Sequence, residues 1–411
     1  MLITKNVLFK INFQVPNLLS VVWLLLCLNI FFLVEKVYDN VAFYCVIGLV
    51  CFASLIKYIN KKRFTKFEAR IIKAFTLLFL LQILGLLNLF TSFSLRTIAA
   101  SICVFCFIDT ISTKVRKVQP LYFRFAFYPI FIYVLNKSFI GLGAASNTIP
   151  GCMVFLTLSY LLLEHNSYTE VRSVKFKMLN SISLGRDVML LVLTALICYK
   201  SSARTALFVL LGSLLVFILL YFFTKSQFKI WRMRSFFWIT IGILFFLMYL
   251  LMNFQSFLWY NDINQYSLQY FGKNLDSSRG LIWSYSYDSL SLWQVLIGAG
   301  TGMLPNIEGR YVGSSFHNSY FQLFMQNGLL GLSCLIFVLW TMWKSVTAGV
   351  FDTVQKYVIA IFIGVIIYNC FEVTLLQNKT FLGVIQWFAL SIGVTRTKWV
   401  SDQKIAMEKS S

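Results

Sequence analysis

The chain has 411 residues, of which 59% are apolar, 18% aromatic and only 12% charged, and its mean hydropathy is +0.76. This composition excludes a soluble globular domain, which needs a larger share of polar side chains to face water. The net charge of +21 would indicate nucleic-acid binding in a soluble protein. Here the basic residues are instead divided among short loops between apolar runs, which is how membrane topology is encoded.

Apolar runs of roughly 17–22 residues recur along the whole chain, and each is long enough to cross a bilayer as a helix. Helices satisfy their own backbone hydrogen bonds in lipid, and the alternating pattern of an outer-membrane barrel is absent. The sequence therefore predicts an all-α polytopic membrane protein with about 12 transmembrane helices. In chain order the predicted spans are 17–34, 41–59, 74–91, 97–113, 122–136, 149–164, 187–199, 205–223, 235–252, 319–343, 356–373 and 381–395.

Basic loops follow the second, fourth, sixth and eighth spans, and most of the 36 Lys and Arg lie on the side of the termini. Because cytoplasmic loops carry the excess of basic residues, both termini are predicted to be cytoplasmic. The segment 253–318 is then a large extracytoplasmic loop, too long for a simple connection. Its middle, 278–293, is predicted to form a helix along the membrane surface with Trp283 and Trp293 at the interface; a packing cap over the bundle is the alternative.

From residue 200 onward, three arginines lie on the side that is otherwise poor in basic residues: Arg204 at the start of a span, and Arg279 and Arg310 in the long loop. Topology does not account for them, although an arginine at lipid level can simply extend to the interface. The forked donors of guanidinium suit phosphate. The three arginines therefore indicate an anion site.

His317, at the outer end of the tenth span, is one of only two histidines. It is a candidate general base for a hydroxyl proton near neutral pH, and Asn318 beside it can orient the imidazole or a sugar. The alternative is an interfacial histidine bonded to a backbone carbonyl. The other histidine, His165, is predicted to lie in a charged cytoplasmic loop.

The glycines Gly298, Gly300 and Gly302 in QVLIGAGTG resemble the start of a dinucleotide loop. Met303 occupies the position where the fingerprint needs a later glycine, and no βαβ pattern surrounds the run, so a nucleotide site is excluded. Two interpretations stay open. The glycines form a tight connection, or their amides approach an anionic group closely. Cys103 and Cys106 have C-x-x-C spacing within a span and are interpreted as apolar filling.

The order of these residues resembles the signature region of the O-antigen ligase and Wzy-type polymerase family of bacterial envelope glycan enzymes. The resemblance covers roughly 200–345, and the stretch Trp293–Leu296 departs from the apolar-proline sequence often seen before the glycines. The matching residues are Ser202, Arg204, Thr205, Ser278, Arg279, Trp283, Gly298, Gly300, Gly302, His317, Asn318, Tyr320, Gln322, Gly328 and Gly331.

The resemblance implies a GT-C-like membrane glycosyltransferase of the bacterial inner (plasma) membrane that uses no metal and no cofactor. Its donor would be a glycan on undecaprenyl diphosphate, with His317 as catalytic base and the diphosphate bound by Arg204, Arg279 and Arg310. Asn318, Tyr320 and the three glycines would support the site. The catalytic region is predicted at 187–345, between N-terminal helices at 1–186 and C-terminal helices with a cytoplasmic tail at 346–411.

The implied partners are the lipid-linked glycan, the bilayer, and a flippase and a chain-length regulator of the same pathway, with no nucleic acid. Polymerisation of lipid-linked repeat units is preferred, because no additional acceptor-binding domain is visible. Ligation to lipid A core or another acceptor is the first alternative. A lipid-linked oligosaccharide flippase is the second, but a transporter places charged groups near the midplane. The spans on either side of the long loop are nearly free of charge at their centres.

Overall fold

The computed structural model describes residues 15–35, 41–60, 64–89, 91–114, 120–140, 148–168, 176–223, 230–253, 256–257, 259–271, 279–307, 310–311, 315–348, 352–376 and 381–395. Over these ranges the chain is helical, apart from short connections and one antiparallel pair of two-residue strands. These are β1 (Asn306–Ile307) and β2 (Arg310–Tyr311), in which Asn306 faces Tyr311.

Fifteen helices make up the described part of the chain. They are α1 (Val15–Glu35), α2 (Val41–Asn60), α3 (Lys66–Asn88), α4 (Ser92–Lys114), α5 (Pro120–Ile140), α6 (Thr148–Tyr168), α7 (Phe176–Lys200), α8 (Arg204–Phe223), α9 (Ile230–Met252), α10 (Tyr260–Phe271), α11 (Arg279–Asp288), α12 (Leu292–Ile297), α13 (Ser319–Thr347), α14 (Thr353–Tyr368) and α15 (Phe381–Thr395).

Each predicted span coincides with one of these helices. Within the described ranges, seven helical stretches are long and apolar enough to cross a membrane: Leu18–Glu35, Lys66–Asn88, Ser94–Ile111, Thr148–His165, Arg204–Phe222, Met233–Leu250 and Ser319–Thr347. Three shorter apolar stretches lie in α2, α14 and α15. The multi-pass, all-helical membrane fold is confirmed, and the total of 12 spans and the extracytoplasmic placement of 253–318 stay predictions.

Two predicted helix starts were placed more than five residues too late. The third span was expected from residue 74, but α3 begins at Lys66 because Thr65 and Glu68 form a capping box. The Thr65 amide donates to Glu68 Oε2 over 2.8 Å, and the Thr65 hydroxyl accepts from the Glu68 amide, which satisfies two amide groups at the helix start. The seventh span was expected to be short, at 187–199, whereas α7 begins at Phe176.

Helices α8 and α14 run antiparallel, and their contacts fix which helix ends lie together. Phe208 contacts Phe371 with ring centroids 6.3 Å apart, whereas Phe217 contacts Tyr357 at 5.8 Å. The start of α8 at Arg204 therefore lies beside the end of α14. The start of α13 lies there too, because the Ser319 amide donates to the Asn369 carbonyl. We call this end of the bundle, defined by these residues, the histidine end.

The opposite end of the bundle carries two ionic clusters, one buried and one partly exposed. In the first, Lys57 Nζ lies 2.7 Å from Glu68 Oε1 and also pairs with Asp109, and all three side chains are nearly inaccessible. Such charges are tolerated at membrane depth because they pair with one another. They do not carry the anion-binding chemistry expected of the histidine end.

The second ionic cluster joins α5, α6 and α7. Arg124 and Arg186 both bind Glu164, Arg186 also binds Asp187, and His165 Nε2 lies 2.8 Å from Asp187 Oδ2. The prediction that His165 lies in a loop was therefore wrong. It lies in the last turns of α6, because its pairing with Asp187 lets the helix continue beyond the apolar run.

Helix α13 is broken at Gly328, whose φ of 64° and ψ of −167° are not helical. The break is matched by Gly298, which has a φ of 91° at the end of α12. A Cβ on Gly298 would overlap the backbone of Gln326 and Asn327, and a Cβ on Gly328 would overlap the backbone of Leu296. The two backbones therefore approach as closely as only glycine allows.

We expect Gly298→Ala and Gly328→Ala to destabilise the protein by about 2–4 kcal/mol each, because overpacking adds to the strain of a positive φ. Thermal unfolding in detergent measures the change. Gly242→Ala is the matched control, since an added methyl on this α9 glycine meets no atom within 4 Å. Equal unfolding temperatures for the three variants would contradict the close glycine contact.

Candidate functional site

The start of α13 is held by a buried polar network. Asn318 caps the helix, with its Oδ1 accepting from the amides of Tyr320 and Phe321 at 2.9 Å. Its Nδ2 donates to the Cys370 carbonyl over 3.0 Å. The cap therefore links α13 to the segment after α14. Asn318 was predicted to support the site, and its bonds hold the backbone next to His317; its support of a catalytic site stays a prediction.

The segment after α14 is bound to the first residue of α13 as well. The Ser319 hydroxyl donates to Asn369 Oδ1, and it accepts from the Thr374 amide over 3.0 Å. Asn369 and Thr374 both donate to Gln386 Oε1 on α15 over 2.9 Å. Four buried polar side chains therefore bond one another, with Gln386 Nε2 left without a hydrogen-bond partner, and they anchor the backbone that leads to His317.

His317 is exposed and has a φ of 55°. In the described part of the chain, only one other non-glycine residue has a positive φ, Ser202 at 52°, two residues before Arg204. Such conformations cost of order 1–3 kcal/mol and persist where the surroundings impose them, often at functional sites. Both strained residues adjoin or coincide with residues that the sequence predicts for catalysis and anion binding.

The sequence predicted that Trp283 lies at the membrane interface, but the structure places it in the protein interior. Its side chain is fully buried, and its Nε1 donates to the Phe316 carbonyl over 2.7 Å. The prediction was wrong because an indole suits both settings, an interface and a buried site with one acceptor. Trp293 is 65% exposed, as expected for an interfacial residue. The predicted surface helix is divided into α11 and α12, because Ser291 caps a new helix.

The three predicted arginines differ in position and in exposure. Arg279 is the first residue of α11, half-buried, with an inaccessible Nε, and Arg204 is the first residue of α8 and is exposed. Arg310 lies in β2, where its backbone pairs with Ile307, and its side chain lies outside the described part.

A chain of contacts connects Arg204, His317 and Arg279. From α8, Phe208 contacts Phe371, next to the residues that hold the start of α13. From α13, the backbone beside His317 is bonded to Trp283, one turn after Arg279 on α11. These contacts bring the two arginines and the histidine to one end of the bundle, although Arg204 and His317 lie more than 100 positions apart in the sequence.

Glu372 is a buried acid at the same end. It is 2% exposed, and its backbone carbonyl lies 3.0 Å from the Ser319 hydroxyl, whose one proton it shares with Asn369 Oδ1. If His317 were not the base, the candidates in the sequence would be Asp262, Asp276, Asp288, Glu308 and Glu372. Of these, Asp262 and Asp288 are exposed, and Asp276 and Glu308 lie outside the described residues. Among these five acids, Glu372 is the one whose backbone is bonded to the start of α13, next to His317.

The glycine run packs against helices. Gly298, Gly300 and Gly302 are buried, and Cβ atoms on the latter two would collide with residues at the end of α3 and the start of α4. The Thr301 hydroxyl between them donates to the Gln82 carbonyl over 2.8 Å. Of the two open interpretations, these contacts favour the tight connection. Tyr320 is likewise a buried residue, with its hydroxyl bonded to Ile366.

An apolar groove of about 650 Å³ adjoins the site. It lies between α9, α11, α12 and α13, and the helix that begins at Arg279, α11, contributes Ser284, Tyr287 and Asp288 to its lining. Its polar residues, Asn253, Ser284 and Asp288, are few. The other lining residues are Phe245, Met248, Tyr249, Met252, Tyr287, Val295, Phe321, Phe324, Leu329 and Leu332.

The first half of α13 carries three buried amides, of which Gln322 is among the residues that carry the family resemblance, whereas Gln326 and Asn327 were not predicted to matter. Gln322, Gln326 and Asn327 are all fully buried, and Gln326 Nε2 donates to the Met303 carbonyl while Gln322 Oε1 accepts from the Phe316 amide. Their spacing within a span, with two glutamines four residues apart, was the available signal.

No group of three or more His, Cys, Asp or Glu is arranged to hold a metal ion in the described ranges.

The fold and the site together define a multi-pass helical membrane protein with a polar site at one end of its bundle. Residues 189–336, from α7 into α13, match the family model described as O-antigen ligase. The resemblance to the O-antigen ligase and Wzy-type polymerase family is thereby confirmed for this stretch, which contains Arg204, Arg279 and His317. The family implies ligase- or polymerase-type activity of a glycosyltransferase-like enzyme. No curated protein matches the chain.

Proposed function

We propose that the protein polymerises oligosaccharide repeat units carried on undecaprenyl diphosphate, at the outer face of the bacterial inner (plasma) membrane. The observation that carries the proposal is the connection of Arg204, Arg279 and His317 at the histidine end. Under the proposed topology this end faces outward and both termini are cytoplasmic. A flippase and a chain-length regulator would act before and beside it.

The proposed reaction joins an acceptor sugar hydroxyl to the anomeric carbon of the donor glycan. The hydroxyl oxygen forms the new glycosidic bond, and His317 takes up the hydroxyl proton. The bond between the anomeric carbon and the diphosphate oxygen breaks, and undecaprenyl diphosphate leaves with the electron pair. Arg204 and Arg279, with Arg310, stabilise the charge that develops on the diphosphate, since preorganised cations act strongly in a site shielded from water.

The apolar groove supports the same substrate. Its methionines and aromatic rings suit a long isoprenoid chain, because methionine adapts to irregular apolar shapes. Because α11 begins at Arg279 and lines the groove with Ser284 and Tyr287, a lipid diphosphate can lay its chain in the groove and its diphosphate toward the arginine. The lining of the groove has few polar side chains, which is the environment that a lipid tail requires.

The experiment that tests polymerase activity uses the purified protein in nanodiscs with one synthetic lipid-linked repeat unit. We expect a ladder of lipid-linked products and release of undecaprenyl diphosphate without any other acceptor. A protein that releases undecaprenyl diphosphate only after lipid A core is added would be a ligase. If neither the lipid-linked unit nor lipid A core accepts the glycan, both the polymerase and the ligase activity are contradicted. Movement of the lipid across the bilayer without bond formation would contradict them as well.

A further inference from the structure

The backbone on both sides of His317 is fixed by side chains from other positions. The Phe316 amide donates to Gln322 Oε1 over 3.2 Å, and the Phe316 carbonyl accepts from Trp283 Nε1 over 2.7 Å. On the other side, Asn318 is bonded through both ends of its side-chain amide. Because the groups on either side are held, the φ of 55° at His317 is imposed by its surroundings.

Trp283 is the member of this arrangement that comes from a different element. Its ring stacks on Phe321 with centroids 5.3 Å apart, and Phe321 in turn contacts Phe316 at 5.5 Å. Trp283 also lies one turn after Arg279 on α11. A movement of Trp283 would therefore change the position of the imidazole relative to that arginine.

We infer that Trp283 is a positioning residue, which holds His317 in its left-handed conformation and at a fixed distance from Arg279 through the Phe316 carbonyl, with Gln322 holding the Phe316 amide. The inference rests on the proposed function, in which His317 takes the acceptor proton. It predicts that loss of one indole N–H, which itself contacts the backbone and takes no part in the reaction, lowers the rate of the chemical step and leaves binding of the donor intact.

The test compares two substitutions with the same chemistry. Trp283→Phe removes the bond to Phe316, and Trp343→Phe removes an equivalent bond, since Trp343 is also fully buried and its Nε1 donates to the Met233 carbonyl over 2.9 Å on another part of α13. Both variants are made in a His165→Gln background, so that His317 is the only histidine. This background permits selective NMR of the ¹⁵N-labelled imidazole in nanodiscs.

We expect Trp283→Phe to lower kcat by about tenfold or more, to leave KM for the lipid-linked unit within about twofold, and to shift the His317 imidazole signals. Trp343→Phe is expected to lower the unfolding temperature similarly and to change neither kcat nor the signals. Gln322→Leu, which releases the Phe316 amide, is expected to act like Trp283→Phe and serves as the second variant if Trp283→Phe does not fold.

Equal kcat values for the Trp283 and Trp343 variants, or imidazole signals that match the wild type in both Trp283→Phe and Gln322→Leu, would overturn the inference. The NMR comparison does not depend on the reaction. Failure of the proposed function is recognised separately, by full activity of His317→Ala. Shifted imidazole signals together with an active His317→Ala would keep the positioning contact and remove its role in catalysis.

Discussion

Replacing His317 with alanine is expected to lower the rate of glycan polymerisation by about 10²–10⁴-fold, which is the usual cost of losing a general base. The protein should reach the membrane at a normal level, because the side chain is exposed and its removal opens no cavity. Lipid-linked single repeat units should accumulate. Gel analysis of the surface glycan and mass spectrometry of extracted lipid-linked intermediates measure both effects.

His165→Ala is the control for this experiment. The chain has two histidines, and His165 pairs with Asp187 at the opposite end of the bundle, so its loss should leave the length of the glycan unchanged. Donor binding should survive in His317→Ala, because the arginines remain. Loss of binding would make His317 part of the binding site and not the base.

Near-normal polymerisation by His317→Ala would mean that another group accepts the proton. Glu372 would then be the first to test, since it is a buried acid at the histidine end and its backbone is bonded to Ser319. Asp262 and Asp288 are exposed and have no such connection to α13. The structure allows this order of testing, because it shows which acids are buried and which are bonded to α13. The sequence alone does not distinguish the acids.

The fold was predictable where one physical effect dominates. Apolar runs of bilayer length fix the positions of the helices, and even the weak runs around 122–136 and 187–199 coincide with α5 and α7. The helix ends were less predictable, because they depend on individual bonds. The capping box of Thr65 extends α3, and the pairing of His165 with Asp187 extends α6; neither changes the mean hydropathy of the run.

The site was predictable in its residue types and less so in its contacts. Arginine and histidine are rare on this side of the chain, so Arg204, Arg279 and His317 stand out in the sequence. Trp283 does not, because its burial depends on the carbonyl of Phe316, 33 positions away. The contact between the glycines was not predictable for the same reason, because it depends on a distant partner. Gly298 is required by the break in α13 at Gly328, and no local pattern at either position reveals the partner.

Arg204→Lys and Arg279→Lys are each expected to lower the rate of transfer by about 10²–10³-fold, a cost typical of removing one preorganised donor to a developing negative charge. Lysine keeps the charge but offers a point cation in place of two parallel donors, so the geometry of diphosphate binding is lost. Initial rates in nanodiscs with the synthetic lipid-linked unit measure the effect, and equilibrium binding of undecaprenyl diphosphate separates binding from catalysis.

Arg96→Lys is the matched control, since Arg96 is an exposed arginine near the start of α4, where Thr91 and Ser94 pack against the glycine run. It should keep the wild-type rate. If Arg204 and Arg279 bind the same diphosphate, the double lysine variant should lose less than the product of the two single losses, because groups that act as a unit are not additive. Strictly multiplicative losses would place the two arginines on separate ligands, and near-normal rates in both single variants would remove diphosphate binding from their role.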